Sequence, residues 1–583
     1  MSYNKASIVL IPSGYKEGQA FSQKPVNGDG DFGVASSATT RVNADGLIEK
    51  ETQNLLLQSN SFDTSWINSG TISKTSGQSG YDGSSDAWLL TKSSASAYIY
   101  QNVSSGLNTI SIYAKSGSLN WLYILKGGNT GQYYNLSTGV LGSSNGPSPI
   151  DANIEDVGGG WYRCSLTYTD AFSGSLRFYP ADGNLDVSGT SGNIYIQDAQ
   201  LEQGLAARDY LETTDSAVYS GMTDNVPQLD YLDSSCPAYL FEPQRSNLIP
   251  YSEALLEYNQ FKVIVSEATK SYTTGLNLEG YNSAIATMLE TATTGNHRVY
   301  FEDITPCTIG TSYALTLYIR SVGGRNVRIS DGGKGMLIDS EINLSNGTKI
   351  TDVYSNCVVK SLSNDVYQIS FFGVNNSIHS SQRCFIQSLD NTSRVFLGDV
   401  TKGLEFLSAQ YEEGYYPTSL IPTYGTATTR IGNYFNDKVS ALYDISNNFS
   451  FVIHWRDTKP ATSSQNLFSV FTNSPNDFYI YLNASRVNIY IQNGGGYVFG
   501  SGANGSWTSP TTKIAITWNN RTKELKYFIN GSLFDSGIFP DHNYGTTTTV
   551  QPTFAGSNGK SSLEKFLFYK EALSDQECID ITT

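Results

Sequence analysis

The string DAQLEQG at residues 198–204 returns, changed at three of its seven positions, as SAQYEEG at 408–414. That interval is far longer than the roughly 20–50 residues of a solenoid unit, and it suits a duplicated domain of ordinary size. Matching islands precede both strings in one order. ISIYAK (110–115) stands against LTLYIR (315–320), NLSTG (135–139) against NLSNG (343–347), and GWYRCSLTY (160–168) against DVYQISFFG (365–373). At the front, LIEKETQNLLLQS (47–59) stands against LFEPQRSNLIPYS (240–252), pairing Glu49 with Glu242 and Asn54 with Asn247. Ile110, Ile112 and Ala114 alternate with outward residues, as do Leu315, Leu317 and Ile319. That period of two marks a half-buried strand. The islands describe one domain used twice, built of short strands and turns as an antiparallel β-sandwich. Gln200 and Gln410, in the closing strings, are expected to satisfy buried backbone groups rather than to touch a ligand.

Composition supports this and narrows the function. The 583 residues include 54 Gly, 39 Tyr and 26 Phe against 4 Met and 4 His, with 15% charged, a balance that favours strands and turns over helices. A net charge of −16 argues against nucleic acid or an anionic membrane as partner. No apolar stretch approaches the ~20 residues of a membrane span. The opening MSYNKASIVLIPSGYKEG has too short an apolar run for a signal-peptide core, so synthesis in a cytoplasm is expected. Cys164, Cys236, Cys307, Cys357, Cys384 and Cys578 are scattered, without C-x-x-C pairs or His/Cys clusters. No metal or cofactor is expected from them.

Residues 1–50 match neither copy of the repeat. Their NGDGDFG (27–33) reads as a turn, because an EF-hand loop counted from Asp29 needs Glu where Thr40 stands. ATTRVN (38–43) returns as ATTRIG (427–432) and reads as a connector ahead of a sandwich. Between the copies, NVPQLDYLDSSCPAYLFEPQRSNL (225–248), with Pro227, Pro237 and Pro243, reads as an extended, docked linker without regular structure. After Tyr434 come the strand candidates FSFVIHW (449–455), DFYIYL (477–482), VNIYIQ (487–492), KIAITW (513–518) and LKYFINGSLF (525–534). Asn530-Gly531 supplies a hairpin turn, and Ser574 with Glu577 a capping box for a terminal helix. The expected division is an attachment segment (1–50), a first jelly roll (51–213), a linker (214–246), a second jelly roll (247–425) and a third sandwich (426–583).

The islands resemble the jelly-roll, carbohydrate-binding-module-like domains of bacteriophage virion proteins. The string from Val226 to Leu248 resembles a recurrent connector of phage tail- and head-fibre proteins, although Lys50, Glu51 and Thr52 replace Pro243, Gln244 and Arg245 at the first joint. Ala515-Ile516-Thr517-Trp518, Phe528-Ile529-Asn530-Gly531 and Ala572-Leu573-Ser574-Asp575-Gln576-Glu577 resemble motifs of the laminin-G/concanavalin-A-like lectin sandwich. These resemblances imply an all-β chain of three consecutive antiparallel sandwiches behind an extended N-terminal segment. They also imply a fibre or capsid-decoration subunit on the virion surface, anchored to other virion proteins through that segment and trimeric as such fibres usually are.

No pair of carboxylates is singled out for glycoside hydrolysis, and no E-x-D-x-x-E string lies in 435–583. Nucleophile elbows, P-loops and dinucleotide fingerprints in a supporting context are likewise missing from the sequence. The expectation is binding without catalysis, directed at host-surface or mucus glycans, since sugars stack on aromatic faces and hydrogen-bond to amides. The candidates, expected on loops, are Asn493, Tyr497, Asn504 and Trp507 in NGGGYVFGSGANGSW, and Asn129, Gln132, Tyr133 and Tyr134 in GGNTGQYYN. The alternative is a purely architectural spacer or cement protein of head or tail.

Overall fold

A sheet with one apolar face must cover it with another, and each copy of the repeat carries both sheets. The computed structural model describes residues 3–583 except 27, 29, 39, 128–129, 171–172, 232–233, 254, 257–261, 277–282, 377–378, 438–446, 460–464, 472–477, 484–485, 492–496, 500–510, 540–550 and 556–559. The first copy forms two six-stranded antiparallel sheets. One is ordered Asp151–Gly158, Trp161–Asp170, Gly106–Ser116, Gly192–Gln203, Ala87–Lys92, Ile72–Gln78. The other is ordered Val140–Asn145, Thr130–Asn135, Trp121–Lys126, Gly174–Ala181, Tyr98–Val103, Ile67–Ser69. The second copy repeats this order strand for strand, around Ser312–Val322 and Gly403–Glu413 in one sheet and Arg298–Ile304, Gln382–Leu389 and Asn326–Ser330 in the other. Ile110, Ile112, Leu122, Ile124 and Phe178 fill the first core; Leu315, Leu317, Val327, Ile329 and Ile386 fill the second. The chain is all-β, as the alternation requires.

The repeated strings turn out to be clamps. Asn54 donates its Nδ2 to the carbonyls of Ala199 (3.1 Å) and Leu211 (2.7 Å), and its Oδ1 accepts from the amides of Leu56 and Leu201. Asn247 does the same with Ala409 (3.2 Å), Ile421 (2.9 Å), Ile249 and Tyr411. Gln200 accepts from the amide of Leu211 and donates to the carbonyls of Arg208 and Asp209; Gln410 accepts from Ile421 and donates to the carbonyl of Ser419. All four amides are buried. Asn54 and Asn247 therefore tie the first strand of a sandwich to its last, and Gln200 and Gln410 tie that last strand to the chain leaving it, each amide meeting its own hydrogen-bonding needs. The chain consequently enters and leaves each jelly roll side by side: Asn54 pairs with Val218, and Asn247 with Thr428.

The third sandwich draws on more of the chain than 426–583. Its eight-stranded sheet contains Phe449–Lys459, Thr511–Asn519, Glu524–Ile529, Ser532–Ile538 and Lys560–Tyr569, and also Ile8–Leu10, Leu229–Asp230 and Ala238–Phe241. Ile8 pairs with Phe568, and Tyr239 with Leu563. In the nine-stranded sheet Phe32–Ala35 pairs with Tyr434–Asp437. Ile8, Leu10, Phe32, Tyr239 and Phe241 share one core with Phe451, Trp455, Trp518 and Phe566. The boundary at 426 moves accordingly, and the two jelly rolls are insertions into a sandwich made from three separated stretches. The N-terminal segment and the linker, read as an arm and an unpaired joint, are built into its sheets. Their strands are too short to show alternation, and a run such as Ile8-Val9-Leu10 carries no readable period. The Asn530-Gly531 turn, with both residues at positive φ, and the Ser574–Glu577 capping box stand where the sequence placed them.

Polar contacts lock the pieces together. Glu242 and Arg430 form a fully buried ion pair, and the amide of Ser419 donates to Glu242 at 3.0 Å. Ile48 packs with Tyr318, Val366, Leu407 and Leu420, which seats the N-terminal segment on the second jelly roll. At the first joint, where proline is replaced, buried Lys50 pairs with Glu253 of the second jelly roll; burial, reinforced by Arg208, draws the lysine down to about 8.

Two outcomes follow for the third sandwich. The fragment 426–583, made alone, lacks the strands Ile8–Leu10, Phe32–Ala35 and Ala238–Phe241, and calorimetry should find no cooperative transition in it; a sharp transition would contradict this assembly. His454 is buried, with Nε2 3.0 Å from the Ile581 carbonyl oxygen. Burial, with Lys565 and Lys513 nearby, holds it down to about 4 from an ordinary 6.5. The unfolded chain then takes up this proton first, so stability falls as pH drops from 6.5 to about 4. His454→Gln should flatten that part of the stability–pH curve in denaturant titrations, and an unchanged slope would refute the assignment.

Candidate functional site

A strand in a sandwich needs apolar residues at alternate positions only, yet several strands of the first jelly roll are aromatic on the outer alternation too. In Trp121–Lys126, Leu122 and Ile124 enter the core while Trp121, Tyr123 and Leu125 belong to a separate cluster. Tyr133 and Tyr179 join that cluster from neighbouring strands, and Tyr98 packs against it. The rings of Tyr123 and Tyr133 stack at 4.0 Å, Tyr123 and Tyr179 lie 5.2 Å apart, and Tyr98 sits 4.5 Å from Tyr179 and 5.8 Å from Tyr100. Glycines let the rings lie close to the backbone. A Cβ on Gly131 would stand 2.7 Å from the Tyr123 ring, and one on Gly142 2.6 Å from that of Trp121.

Polar groups edge this face. The Arg177 guanidinium lies 5.1 Å from the centre of the Tyr98 ring, and Asn145 donates to the Tyr123 hydroxyl at 3.1 Å. Tyr123, Tyr133 and Tyr179 are nearly enclosed, whereas Tyr98, Tyr100, Trp121 and Arg177 remain partly open to solvent. Burial raises the phenols of Tyr123 and Tyr179, and that of Tyr133 to about 12, so these hydroxyls stay neutral near pH 7. The enclosed rings form a rigid floor that holds the open ones in place.

Of the residues expected to bind, Gln132, Tyr133 and Tyr134 lie on the strand Thr130–Asn135 rather than on a loop. Tyr134 is a core residue whose hydroxyl donates to the Ser165 carbonyl at 2.6 Å, and buried Gln132 donates to the Gly142 carbonyl at 2.7 Å. Their burial removes both from any surface site; Tyr133 alone belongs to the aromatic face. Asn129, Asn493, Asn504 and Trp507 lie outside the described residues, as does the Tyr497 side chain, whose backbone is part of the strand Tyr497–Phe499. Tyr98, Tyr100, Trp121, Tyr123, Arg177 and Tyr179 were not foreseen. The available signal was aromatic residues at outward positions of strands whose inward positions already fill a core. Glu202 and Glu412, the acids that recur in the repeat, are buried in the clamps and accept from the amides of Arg208 and Thr418. Burial raises both carboxyls.

The matching face of the second jelly roll is charged. Arg328 makes two 2.9 Å bonds to Asp339, Arg394 lies 2.6 Å from Glu341, and Arg383 lies 3.2 Å from Glu302. Arg298 lies over the rings of Tyr300 (5.6 Å) and Phe385 (5.1 Å), which are themselves 4.8 Å apart.

No family model and no curated protein matches the chain. Among solved structures, the chain is similar to the CBM40 module of the Ruminococcus gnavus IT-sialidase bound to alpha2,3 sialyllactose, with 22% identity over 24% of this chain and 83% of that one and a TM-score of 0.21. It is similar also to the CBM22-1–CBM22-2 tandem of Xyn10C from Paenibacillus barcinonensis, with 11% identity, 62% and 97% coverage and a TM-score of 0.21. The receptor binding domain of botulinum neurotoxin D shares 16% identity over 26% of this chain and 40% of that one, with a TM-score of 0.21. With TM-scores of 0.21 these likenesses say nothing about ligand.

Proposed function

We propose that this chain is a non-enzymatic glycan-binding protein whose first jelly roll holds sugar rings on its outer tyrosine face. One observation carries the reading: Tyr98, Tyr100 and Trp121 present partly open aromatic surface on a rigid tyrosine floor, on the side of the sheet that folding does not require to be apolar. Apolar C–H faces of a sugar stack on such rings, while Arg177 and Asn145 at the rim supply hydrogen bonds to hydroxyls. The fibre-like connector at 226–248 supports a finer reading, that of a bacteriophage fibre or capsid-decoration subunit on the virion surface. Adhesion there gains from many copies, a homotrimer among them, since linked weak sites rise ~10²–10⁴ in avidity. Attachment to the particle uses faces outside the N-terminal strands, whose apolar side chains are taken up by the third core.

An architectural role has one observation in its favour. The edge strand Ser532–Ile538 leaves Leu533, Phe534 and Ile538 exposed, and such edges invite pairing with another chain. The two readings separate in one assay. Full-length protein incubated with isolated host surface polysaccharide should be retained without releasing sugar, and Tyr98→Ala combined with Trp121→Ala should weaken retention by about ten-fold, the scale of losing central aromatic anchors. Release of oligosaccharide, or retention unaffected by the double substitution, would overturn the proposal.

A further inference from the structure

The two jelly rolls share one strand order, so each position on one outer face has a counterpart on the other. The strand ladders fix the correspondence. Tyr100 faces Arg177 as Tyr300 faces Phe385, and Tyr123 faces Tyr133 as Arg328 faces Glu341. Tyr98 therefore corresponds to Arg298, Tyr123 to Arg328, Tyr133 to Glu341 and Tyr179 to Gln387. The two copies share an apolar core and differ on this face, which is mainly aromatic in the first and carries several charges in the second.

The new charges do not cancel. Arg328, Arg383 and Arg394 are each tied to a carboxylate, whereas Arg298 has no carboxylate partner among the described residues. Its guanidinium lies over Tyr300 and Phe385, and its Nε is buried without a hydrogen-bond partner. That Nε is closed off, so an acceptor from outside meets the guanidinium at its terminal nitrogens, which no carboxylate among the described residues engages. A guanidinium supported on two rings is preorganised for a planar, two-oxygen anion, and the rings beside it suit the body of a sugar. The chain as a whole carries −16, so one uncompensated cation here selects locally for what the rest of the surface repels.

Building on the glycan-binding reading, we infer that the outer face of the second jelly roll binds a sugar carboxylate, the acid group of a uronate- or sialate-containing glycan, with Arg298 holding the anion. The two jelly rolls then read different parts of a surface polysaccharide, neutral rings on the first and acidic ones on the second.

Calorimetric titration of the full-length protein with oligogalacturonate and with sialyllactose, each beside its methyl ester, tests this. The acid form of at least one should bind in preference to its ester, more weakly as salt rises. Arg298→Gln should lower that affinity by about ten-fold or more and erase the preference, while Arg298→Lys keeps part of it. Tyr98→Ala with Trp121→Ala should leave it unchanged, and thermal melting confirms that each variant is folded. Equal binding of acid and ester, no binding of either acid, or affinity untouched by Arg298→Gln would overturn the inference. So would dextran sulfate binding as tightly as the carboxylates whatever stands at 298, which indicates general polyanion attraction. Neutral polysaccharide held through Tyr98 and Trp121 while both acids fail refutes the acidic site alone; failure of both arms refutes the glycan reading as well.

Discussion

A buried side-chain amide at each of two joints governs this architecture. Asn54 and Asn247 each use both ends of the carboxamide to bind the first strand of a jelly roll to its last. Insertion of one domain into another requires that the inserted chain depart and return at nearly the same point. Here the amide clamp supplies that condition twice, and the Gln200 and Gln410 amides extend it to the chain that follows. Replacing such an amide with an apolar group would leave several buried backbone groups without partners, and each unmet group costs about 1–3 kcal/mol.

With both insertions closed in this way, the third sandwich completes itself from distant stretches. The outer side of its strand Lys560–Tyr569 is covered by Ile8–Leu10 and Ala238–Phe241, and the Glu242–Arg430 pair lies buried where linker, second jelly roll and sandwich meet. A buried ion pair is weak evidence of net stability, but losing one partner strands a charge, so the pair enforces a single seating of the pieces. Lys50 with Glu253, and Tyr251 and Tyr424 against Leu107 and Leu205, seat the two jelly rolls on each other. The result fixes the two outer faces relative to one another.

Much of this was legible in the residues. The islands at 110–115 and 315–320 showed their strand period, and the pairing of Asn54 with Asn247 and Gln200 with Gln410 marked positions whose polar side chains recur for a structural reason. What escaped reading has identifiable causes. Three- and four-residue strands such as Ile8–Leu10 and Phe32–Ala35 are too short to carry a period, and their partners lie hundreds of residues away. GGNTGQYYN reads as a loop, yet Gly131 lies in a strand and lets the Tyr123 ring lie against the sheet. The aromatic face itself is spread over four strands, each contributing one or two rings, so only the ladders bring them together.

The two copies share an apolar core and differ on one outer face, aromatic in the first and charged in the second. The most direct test is hydrogen–deuterium exchange of the full-length protein with and without host surface polysaccharide. The account predicts added protection in Tyr98–Val103, Trp121–Lys126 and Gly174–Ala181, and none in the clamped chain ends. Protection confined to 493–507, or no change anywhere while the polysaccharide is bound, would contradict it.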